Sequence, residues 1–145
     1  ALNAGLILFL DYGYPRHEFY HPQRMDGTLR CHFRHHAHGD PFLWPGLQDI
    51  TAAVDFTAVA EAAITNGLTV RGFTTQAHFL IGCGLEQAVR DLADAGVRER
   101  AVLSRQVQIL TLPGEMGESV KVMGLTRNLA ISLRGFSGPD HRHRL

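Results

Sequence analysis

Gly5-Leu6-Ile7-Leu8-Phe9-Leu10, followed at once by Asp11-Tyr12-Gly13-Tyr14-Pro15, is the stretch that decides the fold class. The apolar run does not alternate, so it offers no polar face to water. A short continuous run of this kind, stopped by Gly and Pro, predicts a strand buried on both faces, as in a parallel sheet covered by helices. Such a strand sits centrally and needs a neighbour on each edge. Only Ala1-Leu2-Asn3-Ala4 stand before it, so the chain is expected to be the carboxyl-terminal half of a larger α/β domain. An edge of this first strand is then expected to be left exposed and apolar, a surface through which the chain forms a homodimer.

Working outward, residues 16–48 hold Pro, Gly, His and Arg with scattered aromatics and no sustained period, the pattern of an inserted functional loop. Leu29 to Phe33 is a short strand or hairpin arm within it. Ala52 to Ile64 places Phe56, Val59, Ala60, Ala63 and Ile64 on one face, predicting a helix with Thr51 or Asp49 as N-cap and Gly67 as its stop. Leu68 to Thr75 alternates as a strand. Helical segments follow at 77–81, 85–93 and 97–110, broken by Gly82-Cys83-Gly84 and Gly96. Ser119 to Thr126 alternates again, with 131–136 as an extension, and residues 137–145 read as a flexible polar tail.

The 145 residues suffice for a sizeable core, and they are 45% hydrophobic and 19% charged. Fourteen Lys+Arg balance fourteen Asp+Glu, which removes the electrostatic footprint of a nucleic-acid binder, so no nucleic-acid partner is expected. The longest apolar run is far too short to cross a bilayer, and no membrane partner is expected. Cys31 and Cys83 stand far apart without a CxxC, which predicts a reducing, cytoplasmic setting.

Histidine is the densest polar feature: His17, His21, His32, His35, His36 and His38 fall in the loop. Imidazoles at this density suit a metal, but no HExxH face and no thiolate pair accompany them, so solvated loop histidines are the better reading and no metal is expected. Asp11-Tyr12-Gly13 lies at the carboxyl end of the inferred central strand, where open α/β sheets place their ligands. An acid there orients a cationic or hydrogen-bond-donating substrate, and Tyr12 or Tyr14 stacks on a guanidinium or faces a sulfonium. Ordinary turn chemistry accounts for the same residues, and spacing alone does not choose. Arg30 either clamps a carboxylate or forms a structural ion pair. No GxGxxG and no P-loop occurs, so the chain carries no recognisable nucleotide-binding loop.

Taken in series, several segments carry a resemblance: Asp11-Tyr12-Gly13-Tyr14 after the apolar strand, Gly27-Thr28-Leu29-Arg30, His35 and His38, Pro45-Gly46, Asp49-Ile50-Thr51 with Val54-Asp55-Phe56, Gln76 with Phe79-Leu80 and Gly84, and Met116-Gly117-Glu118 with Lys121-Val122. Together they resemble the MidA-like family of S-adenosylmethionine-dependent methyltransferases, from residue 5 to about residue 127. The resemblance implies a class I, Rossmann-like sheet in which this chain supplies strands five to seven, flanking helices and an inserted loop. It implies S-adenosyl-L-methionine as cofactor, bound mainly by residues upstream of this chain, and a protein substrate with arginine as the inherited suggestion. On that reading Asp11 and Tyr12 are the catalytic residues, and Tyr14, Arg30, His35 and His38 bind substrate. The rival expectation is a non-enzymatic interaction module that uses the His- and Arg-rich loop to hold a partner protein.

Overall fold

The computed structural model describes residues 2–91 and 96–145. In chain order they form β1 (Gly5–Tyr14), α1 (Arg16–Phe19), β2 (Arg30–Phe33), β3 (His36–His38), β4 (Asp49–Thr51), β5 (Val54–Asp55), α2 (Phe56–Thr65) and β6 (Thr69–Thr75). There follow α3 (Gln76–Cys83), α4 (Leu85–Asp91), α5 (Val97–Thr111), α6 (Met116–Ser119), β7 (Val120–Arg127) and two 3-10 turns, Arg134–Phe136 and Arg142–Arg144. The helix expected over 85–93 is seen to Asp91, and its last two residues lie outside the described residues.

The main sheet is mixed, in the order β5-β1-β7-β6. β1 runs antiparallel to β7 from Gly5 opposite Arg127 to Tyr12 opposite Val120, and β6 is antiparallel to β7 on its other side. The only parallel partner of β1 among the described residues is β5, which pairs with Gly13 and Tyr14 alone. From Gly5 to Tyr12 the other edge of β1 is therefore unpaired among the described residues.

The core lies on one face of this sheet, where Phe56, Ala60 and Ala63 of α2 pack on Phe73, Met123 and Leu125. On the opposite face the ring of Phe136 lies over two glycines, Gly72 and Gly124, where a side chain would collide with it, and it meets Phe79 of α3 edge-on at 5.2 Å. β1 contributes no side chain to the core cluster. The expectation that β1 is buried on both faces is thus corrected: Leu6, Ile7, Leu8, Phe9, Leu10 and Tyr12 are 36–50% exposed. Its composition is that of a central strand, but α2 covers β6 and β7 and, among the described residues, no strand lies along its free edge.

Three further expectations are corrected. Neither Asp49 nor Thr51 caps α2; as the ends of β4 they pair with His32 and Arg30 respectively, in a small sheet of order β3-β2-β4. The cap is Asp55, whose carboxylate accepts the Ala58 N–H at 3.0 Å, because Val54-Asp55 is held extended beside β1 and helix can begin only after it. Gly67 takes φ 73° beyond the last turn, the left-handed conformation anticipated for a stop. Residues 131–136 do not extend β7; the turn at Arg134–Phe136 is what delivers the Phe136 ring to its glycines.

The tail is docked rather than frayed. His141 N–H donates to the Phe73 carbonyl at 2.7 Å, Thr74 Oγ1 donates to the Pro139 carbonyl at 2.8 Å, and Arg142 reaches the Val70 carbonyl at 3.2 Å, so the tail follows β6. Burial works against ionising Asp140, but hydrogen bonds from the Arg142 N–H and guanidinium and from the Phe73 N–H outweigh it and hold the carboxyl below its ordinary range.

Candidate functional site

Pro15 ends β1 and opens α1 with its own carbonyl, which accepts the Glu18 and Phe19 N–H groups at 3.0 and 2.9 Å. Arg16 fixes this short helix against α2: its N–H donates to Thr57 Oγ1 at 2.9 Å, and its guanidinium forks onto both oxygens of Glu61 at 2.7 and 2.5 Å. Glu18 is thereby carried back across the carboxyl end of β1.

Two polar clefts meet there and share Tyr14. One, of about 320 Å³, is lined by Tyr14, Glu18, Thr75, Glu118, Lys121, His141 and Arg144. The other, of about 260 Å³, is lined by Tyr14, Gln23, Arg24, Asp26, Thr28 and Arg30. The Arg24 guanidinium carbon lies 3.8 Å above the centre of the Tyr14 ring, and the same group donates to the Glu18 carbonyl. Arg144, next to last in the chain, pairs with the Glu18 carboxylate.

Lys121 is 7% exposed and donates to the Glu118 carbonyl. Burial lowers its pKa from the ordinary lysine value; the negative charges of Glu18 and Glu118 oppose this, and Arg144 adds to it. His141 is likewise held below its usual range, first by burial and then by the positive charge of Arg144. The Lys121 shift fixes a sign for stability. The unfolded state keeps the lysine proton up to higher pH than the folded state, so it binds more protons in between, and stability rises as pH climbs toward the unfolded pKa of about 10.4. Lys121→Met is expected to abolish that rise, read as the difference in urea midpoint between pH 7 and pH 10. An unchanged alkaline gain in the variant contradicts the assignment.

Of the residues singled out in the sequence, Tyr14 and Arg30 are brought together in the smaller cleft, with Arg30 donating to the Leu29 carbonyl at 2.8 Å. Asp11 and Tyr12 are neighbours on β1 and so face opposite sides of the sheet. Asp11 stands opposite Lys121 in the register and Tyr12 opposite Val120. Both are exposed, and the Asp11 carboxylate accepts the Tyr12 N–H at 2.8 Å. His35, at φ 67°, forms the turn between β2 and β3, and His38 packs edge-on to Trp44 at 5.3 Å; neither lines the two clefts. Among the described residues, no group of three or more His, Cys, Asp or Glu side chains converges to hold a metal. No helix among them is long and apolar enough to cross a membrane.

Glu18, Arg24, His141 and Arg144 were not singled out from the sequence. Lys121 carried a signal, as the single lysine of the chain set within the apolar alternation Val120-Lys121-Val122-Met123. His141 and Arg144 carried none, because a polar terminus reads as tail whether or not it docks.

Residues 1–74 match the family described as "Putative S-adenosyl-L-methionine-dependent methyltransferase". The Drosophila melanogaster protein named "Protein arginine methyltransferase NDUFAF7 homolog, mitochondrial" is 30% identical over 125 residues, which are 85% of this chain and 27% of that protein. A crystal structure of a COG1565 superfamily protein from Burkholderia thailandensis superposes with a TM-score of 0.94 at 43% identity, over 98% of this chain and 38% of that one. A second structure of that superfamily and organism, bound to S-adenosyl-homocysteine, superposes with a TM-score of 0.93 at 43% identity, over 97% of this chain and 36% of that one. The chain thus spans less than two-fifths of the length of these relatives. Family match, relative and solved structures agree with the resemblance carried by the sequence motifs, and the chain belongs to the MidA-like family of methyltransferases whose cofactor is S-adenosyl-L-methionine.

Proposed function

We propose that this chain is the carboxyl-terminal, substrate-side half of a class I, Rossmann-like protein methyltransferase, with arginine as the acceptor side chain. On that reading β1, β6 and β7 are the fifth, sixth and seventh strands, residues 1–145 belong to one domain, and 16–48 are its insertion. The order β1-β7-β6, with β7 antiparallel to both neighbours, supports it. The observation that carries the reading is the polar double cleft around Tyr14 at the carboxyl end of β1, in a chain that superposes closely on a relative solved with the demethylated cofactor. The relative's name supports a protein, and specifically arginine, as acceptor.

The cofactor is not held by these residues alone. β1 runs into Pro15 rather than a glycine-rich turn, and the clefts are walled largely by charged side chains of both signs rather than by the apolar surface on which an adenine ring stacks. When bound, the cofactor supplies a methyl group on a sulfonium. The part left to this chain is to fix the acceptor: Asp11 localises the charge of a guanidinium and aims one nitrogen, Tyr14 walls the cation while Tyr12 faces the other side of the sheet, Arg30 anchors a carboxylate of the substrate, and His35 and His38 extend the polypeptide-binding surface. A cytoplasmic setting belongs to the same reading, supported by Cys31 and Cys83 both being free thiols.

Methyl transfer from labelled S-adenosyl-L-methionine, with the protein that carries this chain together with the segment preceding it, tests the reading on arginine-containing polypeptides. Label on arginine is the expected product; transfer to another acceptor type overturns the arginine assignment. The 145 residues alone are expected neither to methylate nor to bind the cofactor tightly in a calorimeter, and stoichiometric tight binding contradicts the half-domain reading. The exposed apolar edge of β1 is expected to make the isolated chain self-associate through it. Light scattering should show a mass that grows with concentration, and a monomer throughout refutes the homodimer.

A further inference from the structure

Three imidazoles gather where the docked tail crosses β6. His141 is the middle ring: it meets His78 of α3 edge-on with centres 5.9 Å apart, and it meets His143 at 6.4 Å. It also lines the larger cleft, beside Arg144 of the same tail and Lys121 of β7. The residue is half-buried, yet its Nδ1 is sealed from solvent and has no hydrogen-bond partner among the described residues. A neutral imidazole tolerates this, with its single hydrogen on Nε2. A charged imidazole carries a hydrogen on both nitrogens, and the one on Nδ1 would meet no acceptor.

The surroundings add to that penalty. Burial opposes a positive charge on the ring, and so do Arg144 and His143 of the tail, His78 of α3 and Lys121 of β7. The nearby carboxylates are engaged elsewhere, Glu18 of α1 with Arg144 and Asp140 with Arg142 and the Phe73 N–H. Glu118 of α6 lines the same cleft, and its carbonyl accepts the Lys121 ammonium.

What His141 holds in place is the tail itself. Its backbone N–H donates to the Phe73 carbonyl at 2.7 Å, between the contacts of Pro139 with Thr74 and of Arg142 with Val70. Detaching it unpairs the outer edge of β6 and withdraws both His141 and Arg144 from the cleft wall.

We propose that residues 137–145 are an acid-released strap, which closes one side of the Tyr14 cleft at neutral pH and detaches from β6 when His141 takes up a proton. The strap is independent of which acceptor the cleft receives. Its sign follows from linkage: the detached ring binds its proton near the ordinary histidine value of about 6.5, and the docked ring does so only at lower pH. Docking is therefore at full strength above about 6.5 and is lost as pH falls through the docked value. Asp140 does not share this window, because its carboxyl lies below its ordinary range and stays ionised in mild acid.

Amide hydrogen exchange of the protein carrying this chain tests the strap, read as protection factors so that the intrinsic pH dependence of exchange cancels. From pH 7.5 to pH 5.0, protection at the Phe73 and His141 amides is expected to fall at least about threefold, while Val122 and Met123 in the middle of the sheet keep theirs. His141→Gln retains a polar side chain that cannot charge, and its protection is expected to stay level over the same range. Constant protection in the parent protein overturns the proposal, and so does an equal fall in His141→Gln, which assigns the loss to another group. Should His141→Gln fail to dock even at pH 7.5, the parent protein still decides. The NMR titration of its His141 ring is expected to share its midpoint with the loss of protection, and two separate midpoints overturn the strap.

Discussion

Phe56→Ala is expected to lower the stability of this chain by about 3–5 kcal/mol, the range for truncating a fully buried phenylalanine. Phe56 is fully buried, is the first residue of α2, and lies 5.2 Å from the ring of Phe73. It also closes the end of β1. A side chain at Gly13 would run into the Val54 carbonyl and come within 2.7 Å of the Phe56 ring, so the strand passes here only because residue 13 is glycine. Truncation therefore opens a cavity at the junction of α2, β5 and β1, between the Gly13 and Val54 backbone on one side and the side chains of the core cluster around Phe73 on the other. Chemical denaturation reads the loss directly. A fall of under about 1 kcal/mol, the range of a surface change, places the core elsewhere. Because this junction sets the path of β1 into Pro15, the variant is also expected to loosen Glu18 and Tyr14, visible as broadened NMR signals from both.

Much of the fold was legible because the relevant signals are local. The α2 stripe of Phe56, Val59, Ala60 and Ala63, the left-handed stop at Gly67 and the alternation of β6 and β7 each follow from neighbouring residues and a fixed period. What failed depends on partners distant in sequence. Asp49-Ile50-Thr51 looks like a helix cap until β2 claims it as a strand, and Asp55 becomes the cap only because Val54 and Asp55 lie beside Gly13 and Tyr14. The tail is polar by composition, yet it docks because β6 is an edge strand whose backbone groups at Phe73 and Val70 need partners. The candidate site divides in the same way. Tyr14 and Arg30 were reachable from their motifs, whereas Glu18, His141 and Arg144 reach the cleft by a short helix anchored to α2 and a tail anchored to β6. No pattern along the chain encodes that meeting.

Asp11→Asn is expected to lower kcat/KM for methyl transfer in the complete protein by about 10²-fold or more, equivalent to at least about 2.7 kcal/mol of transition-state stabilisation. The argument starts from what the substitution leaves alone. Asparagine has the same shape, its carbonyl can still accept the Tyr12 N–H that the Asp11 carboxylate now accepts at 2.8 Å, and the position is exposed. The melting temperature should therefore stay where it is, and only the negative charge is lost. A guanidinium spreads its cation over three nitrogens, which makes each a poor nucleophile; a carboxylate on one side draws the charge toward itself and holds a chosen nitrogen in line with the sulfonium. Misplacement of that nitrogen by about an ångström is worth a factor of about 10². Tyr12→Phe serves as the internal comparison. Tyr12 faces the other side of the sheet, so if the acceptor enters on the Asp11 side, loss of its hydroxyl should change turnover far less. Full methyl transfer by a folded Asp11→Asn protein would remove Asp11 from the reaction, and the Glu18–Tyr14 cleft would then remain as the place where this chain holds the acceptor.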